Sequence, residues 1–351
     1  MVRIGSITVD PPLLNSSSPY RSSTMKKANS SFASTKEDLL ALYQCEYTGA
    51  VTTRTSLIHG FDHDDAIHKH AFFDNSQSSI NSYGYSPYQL SQYITWIQEI
   101  HAAYPDSTKP FIVSITGTAS DIELCFLKIQ DFRKSLDLPN DRGFDIAVEI
   151  NLSCPNIPRI PPPAYFTESL LQYLIATKRY YLEDPTLTVG LKLPPYTYET
   201  QFTGLVSATW RKRTDQGVAF LTSTNTLGNG LVFNDQVNEE GENVPGFAVP
   251  SGWGGLGGSA IHPLSVGNVS KLVALLETPS HITKQKLAED TAKSKNEEVD
   301  DGIVVIGVGG INSGKTFKHF MAVGAVAGEV GTALGVEGVK VFERIHKEAG
   351  L

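Results

Sequence analysis

The sequence predicts a single-domain (β/α)8 (TIM) barrel over residues 1–351. Three observations lead to this prediction: apolar, β-branched runs alternate with segments of helical periodicity, eight of each are found, and polar or glycine residues follow almost every apolar run. Alternation of this kind implies parallel strands, and eight parallel strands close a barrel. An open doubly wound sheet is the structural alternative, and the eightfold count with polar strand ends favours the barrel.

The predicted strands are short and the predicted helices are mostly amphipathic. The strands are expected near Leu13–Leu14 and at Ala50–Arg54, Phe111–Ile115, Phe144–Ile150, Leu187–Leu193, Val218–Thr224, Ile303–Val308 and Val326–Val330. A first helix is expected to start at Thr35–Asp38, and the others at Pro87–Tyr104, Asp121–Leu138, Thr167–Leu182, Glu199–Lys212, Asn268–Glu277, Thr316–Val323 and Glu337–Lys347.

Composition excludes several classes of function. A formal net charge of −8 over 351 residues argues against a nucleic-acid or anionic-membrane partner. Cys45, Cys125 and Cys154 are odd in number and widely spaced, which argues against a disulfide framework or a zinc site. Because the chain has neither a membrane-length apolar run nor a signal-peptide core, we expect a soluble, cytoplasmic protein.

Three polar or glycine-rich segments are expected to be loops. The segment Gly60–Tyr85 surrounds a group of histidines, but their spacing is not that of a zinc site, so a solvated loop without metal is expected. The run Gly252–Gly258 is expected to be a glycine-rich loop. Residues 279–301 are polar and charged, and we expect an exposed insertion there.

The stretch Phe144–Asn156 is the centre of the functional prediction. It begins as a buried strand and ends in Asn151, Ser153, Cys154 and Asn156. Read alone, this pattern fits an Asx turn with an inert core cysteine. In a barrel, however, side chains at other strand ends meet it at the same rim. The other expected rim residues are Asn15, Arg54, Lys192 and Asn225, with Asn81 from a long loop.

Amides, cations and a thiol at one rim indicate a small, flat, anionic substrate with amide groups. An Asn side chain both donates to and accepts from a ring amide, and an Arg guanidinium matches a carboxylate. Two glycine turns, Gly307–Gly310 and Gly331–Thr332, follow the last two strands. Barrels bind phosphate at these turns through backbone N–H groups, which predicts a phosphorylated cofactor.

The run Gly309–Thr316 also matches the P-loop pattern G-x-x-x-x-G-K-[ST] and follows a strand. Alone, it would predict an NTPase. Only 35 residues follow Thr316, which is too short for the remaining sheet and a magnesium-binding Asp. We therefore interpret the loop as part of a barrel phosphate site.

Four motifs together resemble the cytosolic, fumarate-using dihydroorotate dehydrogenases, which are FMN-containing barrels. The motifs are Asn151-Leu-Ser-Cys-Pro-Asn156, Leu191-Lys-Leu-Pro-Pro-Tyr196, Asn225-Thr-Leu-Gly-Asn-Gly230, and Gly307-Val-Gly-Gly310 with Gly331-Thr-Ala-Leu334. The first motif is specific to this class, because the membrane-bound class has Ser in place of Cys154.

The resemblance implies a flavin enzyme of pyrimidine biosynthesis that oxidises dihydroorotate to orotate. Cys154 would remove the proton from carbon 5 while hydride leaves carbon 6 for FMN, and a fumarate-like oxidant would then reoxidise the flavin in ping-pong fashion. A homodimer is also implied. The implied substrate-binding residues are Arg54, Asn81, Tyr83, Gly84, Tyr85, Asn151, Asn156, Asn225 and Thr226. The implied FMN-binding residues are Ser16, Ser17, Arg54, Thr55, Asn151, Lys192, Gly257, Gly309, Gly310, Gly331 and Thr332.

The sequence departs from the family pattern mainly at the substrate. Arg54 stands where the family has lysine, and Tyr83 and Tyr85 replace Met and Leu of the family's Asn-Ser-Met-Gly-Leu. The loop after Cys154 is richer in proline, which is expected to stiffen it. Two alternatives therefore stay open: a diverged FMN oxidoreductase acting on another cyclic amide or enoate, and a non-catalytic barrel that binds flavin or a nucleotide.

Overall fold

The computed structural model describes residues 1–18, 34–73, 76–136, 146–157, 159–209, 216–237, 246–277 and 302–351. The predicted insertion at 279–301 lies outside these ranges. The strands are β1 Val2–Ile4, β2 Ile7–Val9, β3 Leu13–Asn15, β4 Val51–Thr52, β5 His70–Phe72, β6 Ser78–Asn81, β7 Phe111–Ile115, β8 Ile146–Asn151, β9 Val189–Leu193, β10 Val218–Ser223, β11 Leu227–Leu231, β12 Trp253–Gly258, β13 Val304–Val308 and β14 Ala327–Val330.

The helices alternate with the strands of one sheet. They are α1 Lys36–Gln44, α2 Leu90–Ala103, α3 Ala119–Ser135, α4 Thr167–Glu183, α5 Glu199–Thr209, α6 His262–Glu277, α7 Gly314–Ala322, α8 Thr332–Glu337 and α9 Lys340–Ala349. The predicted start of the first helix is confirmed: Thr35 caps α1 and forms a capping box with Asp38.

Eight parallel strands form the barrel, in the order β3-β14-β13-β10-β9-β8-β7-β4. The two end strands also meet, because Leu14 bridges to Ala50 and the Gly49 N–H donates to the Leu13 carbonyl at 2.9 Å. This closure confirms the (β/α)8 barrel. The open doubly wound sheet is excluded, since such a sheet has two unpaired edges.

The barrel interior is apolar at the amino ends of the strands. Ile112, Ala147 and Phe220 lie in this layer, and the Phe220 ring fills the space above Gly190, where a Cβ would lie 2.1 Å from it. The hairpin β1–β2 adds Ile4 and Ile7 to the same cluster and closes this end of the barrel. Because the hairpin strands are only three residues long, the sequence did not predict them.

Two segments predicted as loops form a second sheet instead. The order β11-β12-β6-β5 is antiparallel, and its strands come from the connections after β4 and β10. The run Gly252–Gly258 was predicted to be a loop, but its glycines permit close approach of two strands: a Cβ on Gly254 would lie 2.5 Å from the Asn81 carbonyl oxygen. This sheet covers the carboxyl end of the barrel and brings Asn81 to the rim.

The predicted helix Glu337–Lys347 is wrong at its start. The chain forms α8 and α9, separated at Gly338, whose φ of +76° ends α8. Helix α6 also begins earlier than predicted, at His262 rather than Asn268.

Candidate active site

A cleft of about 780 Å³, including the space at its mouth, opens at the carboxyl ends of the barrel strands. Every residue that the family resemblance implies for catalysis, substrate or cofactor lines it: Ser16, Ser17, Arg54, Thr55, Asn81, Tyr83, Gly84, Tyr85, Asn151, Cys154, Asn156, Lys192, Asn225, Thr226, Gly257, Gly309, Gly310, Gly331 and Thr332. Residues more than three hundred positions apart in the sequence, such as Ser16 and Thr332, are thus brought to one site by the barrel.

The glycine turns after β13 and β14 form one end of the cleft. Gly309 and Gly310 have φ of +131° and +75°, and a Cβ on Gly309 would lie 2.1 Å from the Ser265 hydroxyl oxygen. Across the turns, the Thr332 and Ser79 hydroxyls are 2.9 Å apart. Side chains at the two glycines would therefore clash with α6, and backbone forms this wall.

The P-loop interpretation does not fit this turn. Lys315 is exposed and does not line the cleft. The Thr316 hydroxyl accepts hydrogen bonds from the Asn312 and Ser313 N–H groups, so it serves the start of α7. Neither of the two residues that would hold phosphate and magnesium in a P-loop is therefore positioned to bind a ligand in the cleft.

The amide side chains lie in two hydrogen-bonded groups. In the first, the Ser153 hydroxyl donates to Asn151 Oδ1 at 2.8 Å and accepts from Asn225 Nδ2 at 2.8 Å. Asn151 Nδ2 also donates to the Thr55 hydroxyl at 2.9 Å. The first group therefore fixes two amides from different barrel strands relative to one another.

In the second group, Asn156 Nδ2 donates to Asn81 Oδ1 at 3.0 Å and to the Tyr83 carbonyl oxygen at 2.9 Å. Asn81 is in turn held by the glycine strand, since its Nδ2 donates to the Gly255 carbonyl oxygen at 3.2 Å. This group joins the loop after β8 to the covering sheet.

Cys154 lies between the two amide groups, half-buried in the cleft wall. Burial raises the pKa of its thiol to about 11, while the Asn156 backbone N–H and the Arg54 charge lower that pKa. The thiol form of Cys154 is therefore favoured at neutral pH in the ligand-free cleft.

Comparison with known proteins agrees with this geometry. The sequence profile of the family described as dihydroorotate dehydrogenase matches residues 30–282 and 286–350. The chain belongs to the dihydroorotate dehydrogenase family. It is 32% identical to the Saccharomyces cerevisiae protein named dihydroorotate dehydrogenase (fumarate), over 275 residues that cover 77% of this chain and 71% of that protein.

Other members of the family give similar matches. The Saccharomyces mikatae protein named dihydroorotate dehydrogenase (fumarate) is 32% identical over 272 residues, 77% of this chain and 71% of that protein. A Streptococcus equi subsp. equi protein with the provisional name dihydroorotate dehydrogenase A (fumarate) is 29% identical over 319 residues, 90% of this chain and 85% of that protein. The relatives support membership of the fumarate class of the dihydroorotate dehydrogenase family.

Arg54, which stands where the family pattern has lysine, is held by the loop that follows β6 of the covering sheet. Its guanidinium donates to the Tyr85 carbonyl oxygen at 3.0 Å and lies 5.3 Å from the centre of the Tyr83 ring. The Tyr83 hydroxyl pairs with His70 Nδ1 at 3.1 Å. The family departures at positions 54, 83 and 85 therefore form one connected group.

Sequence reasoning also misplaced one residue and missed others. Asn15, expected at the rim, does not line the cleft: its amide pairs with the Thr52 N–H and carbonyl at 2.9 and 2.7 Å and joins the first two barrel strands. Ser153, predicted with the polar end of β8, does not line the cleft but joins two of its amides. The buried Glu149 and Glu329 were not predicted. A charged residue inside an otherwise apolar strand was the signal that could have found both glutamates.

Two features of the described residues bear on the classes of function that composition excludes. None of the helices there is long and apolar enough to cross a membrane. In the same ranges, no three His, Cys, Asp or Glu side chains converge as a metal site would require.

Proposed function

We propose that this protein oxidises dihydroorotate to orotate, a step of pyrimidine biosynthesis, using FMN as the hydride acceptor and a fumarate-like compound as the final oxidant. The supporting observation is that Cys154, both amide groups and the glycine turns line one cleft. Family membership gives the reaction class, and the cleft supplies a group for each part of it.

The glycine end of the cleft fits the phosphate of FMN. A Cβ on Gly310 would lie 2.7 Å from His262 Cβ, so this wall is backbone that a phosphate can approach closely. Lys192 is 2% exposed and lines the cleft, which places an ammonium group inside the barrel. Ser16, Ser17 and Thr55 supply hydroxyls on the side of Lys192. We assign these residues to the cofactor.

The amide end fits the dihydroorotate ring and carboxylate. Asn151 and Asn225 present one fixed pair of amides, and Asn81 and Asn156 present the other. Each pair supplies donors and acceptors for a cyclic imide, and the Arg54 guanidinium attracts a carboxylate. In the proposal these residues orient the ring so that carbon 5 faces Cys154.

The reaction needs a base on one face of the substrate and a hydride acceptor on the other. FMN supplies the hydride acceptor when it is bound. Cys154 Sγ takes the proton from carbon 5 as its thiolate form. Burial raises the pKa of this thiol to about 11, and the Asn156 N–H and the positive charge of Arg54 offset only part of that rise. Only a small fraction of Cys154 is therefore thiolate at neutral pH, and this fraction grows with pH. Proton removal is therefore expected to accelerate with pH.

The test is an anaerobic absorbance spectrum of the FMN-loaded protein before and after dihydroorotate is added. The proposal predicts bleaching of the flavin band by dihydroorotate and its return when fumarate is added. A flavin spectrum that no cyclic substrate bleaches indicates the non-catalytic barrel. Protein that fails to take up FMN contradicts the proposal. The resemblance also predicts a homodimer, which light scattering tests.

The connected group of Arg54, Tyr83 and Tyr85 favours a second candidate, oxidation or reduction of another cyclic amide or enoate. Arg54→Lys separates the two candidates. Lysine restores the residue that the family pattern has at this position, and it cannot keep the planar contact of Arg54 with the Tyr83 ring. If the protein is a dihydroorotate enzyme whose site has diverged, Arg54→Lys should therefore increase dihydroorotate turnover. Loss of all flavin reduction in that variant would favour another substrate.

A further inference from the structure

At the base of the cleft lies a layer of three buried charged residues, and two of them, Glu149 and Glu329, have no role in the proposed reaction. Glu149, Lys192 and Glu329 come from β8, β9 and β14 and are 0%, 2% and 1% exposed. The Lys192 ammonium lies 3.9 Å from Glu149 Oε1 and 3.7 Å from Glu329 Oε2. Two carboxylates thus share one ammonium away from solvent, which favours protonation of one of them.

The two carboxylates are not equivalent. Glu149 Oε1 accepts from the Ser114 hydroxyl at 3.1 Å, and that hydroxyl pairs with the Thr55 hydroxyl at 2.9 Å. Neither oxygen of Glu329 meets hydrogen-bond geometry with a donor. Glu329 is therefore the carboxylate whose ionised form is less stabilised.

The surroundings of Glu329 support the same assignment. Leu14 on β3 and Val308 on β13 lie beside it in register and carry no charge. Of the described residues, the charged groups that face it are Lys192 and Glu149, from across the barrel. Burial raises the pKa of Glu329 to about 8, and the negative charge of Glu149 also raises it, whereas the Lys192 ammonium and the nearby Ser16 hydroxyl lower it.

We infer that Glu329 is a positioning residue that keeps a proton and thereby leaves the Lys192 ammonium available to the cofactor. This inference rests on the proposed binding of FMN in the cleft. Lys192 Nζ now donates to the Ser16 hydroxyl at 3.1 Å, at the edge of the cleft. An ionised Glu329 would attract the ammonium back into the barrel interior.

The charge of the layer determines which redox form of FMN is favoured. With Glu329 protonated, Glu149 and Lys192 cancel and the layer is neutral. After Glu329 loses its proton the layer carries one net negative charge. Reduced flavin is anionic near neutral pH, so the ionised layer repels it more than it repels oxidised flavin. The preference for oxidised over reduced FMN should therefore increase as pH rises through about 8.

The experiment measures the affinity of wild-type protein and Glu329→Gln for oxidised FMN, together with the midpoint potential of the bound flavin, from about pH 6.5 to 9.5. Free FMN in the same buffers supplies the reference. In the wild type, the midpoint potential of bound FMN should fall about 30 mV further over this pH range than that of free FMN. For two electrons this corresponds to a fall of about tenfold in the ratio of the affinity for reduced FMN to the affinity for oxidised FMN. In Glu329→Gln the extra fall should be absent.

Glu343→Gln is the matched control, since Glu343 pairs with Lys347 on the surface and is 45% exposed. It should follow the wild-type profile. A pH dependence in Glu329→Gln that equals that of the wild type overturns the inference, while FMN binding itself stands.

If Glu329→Gln does not fold, the wild-type profile alone decides. A midpoint potential that runs parallel to that of free FMN overturns the inference, and an extra fall centred near pH 8 supports it. Failure of the wild type to bind FMN overturns the proposed function first.

Discussion

Replacing Lys192 by Met removes an ammonium group from the buried layer that also holds Glu149 and Glu329. Methionine is unbranched and only one atom shorter than lysine, so the change is mainly one of charge. Removal of one partner from a buried ion pair costs about 3–5 kcal/mol, because the remaining charge is buried without compensation. Lys192 is 2% exposed and contacts both carboxylates, so the full buried range applies.

The cost of Lys192→Met should depend on pH. Glu329 has a folded-state pKa of about 8 against an ordinary value of 4.5. A carboxyl with a raised pKa binds its proton more tightly in the folded state, so its contribution to stability is present below about pH 4.5 and is lost as pH rises through about 8. Near pH 6 the variant leaves mainly Glu149 unpaired, and we expect a loss of about 3 kcal/mol. Near pH 9 each carboxyl group must either stay ionised without Lys192 or take a proton from a more alkaline solution, and we expect about 5 kcal/mol.

Urea unfolding of the flavin-free proteins, followed by far-ultraviolet circular dichroism at both pH values, measures these losses. Lys271→Met is the matched control, because Lys271 pairs with Glu199 on the surface and is 42% exposed. It should lose less than about 1 kcal/mol. A loss in Lys192→Met that equals the control, or that is larger near pH 6 than near pH 9, would refute the reasoning.

Two other predictions concern the cofactor wall and the thiol. Gly309→Ala should weaken FMN binding at least about tenfold, since its φ is +131° and its Cβ would overlap the Ser265 hydroxyl, whereas Gly267→Ala, with nothing within 4 Å, should not. Fluorescence titration with FMN compares the two variants, and equal FMN affinities would contradict the assignment of the glycine turns to the cofactor. Alkylation of Cys154 should accelerate about tenfold per pH unit between about pH 7 and 10, because its pKa is raised to about 11. Mass spectrometry follows the labelling, and a rate that is flat above pH 8 would exclude so high a pKa.

The barrel could be predicted because its signal is local. Each strand is an apolar run, each helix has its own periodicity, and parallel order follows from their alternation. The covering sheet could not be predicted in this way. Its strands β6 and β12 depend on contact between residues far apart in sequence, and the glycines of β12 are required by that contact.

The site was predicted from residue types that are unusual at strand ends. Asn151, Cys154 and Lys192 follow or end apolar runs and all line the cleft. Asn15 has the same signal but pairs with the backbone of the next strand, which only the closed barrel reveals. Glu329 was missed because a charge within a strand has no partner in the local sequence; its partner Lys192 comes from another strand across the barrel.

The most direct test of the proposed function is the rate of flavin bleaching by dihydroorotate under anaerobic conditions, in FMN-loaded wild type and in Cys154→Ala. Both proteins should show the same flavin spectrum, because Cys154 is assigned to the substrate side. The wild type should bleach rapidly, and Cys154→Ala should be slower by at least about 100-fold, the lower end of the usual contribution of a general base. Bleaching at equal rates in the two proteins would remove Cys154 as the base and contradict the proposed reaction.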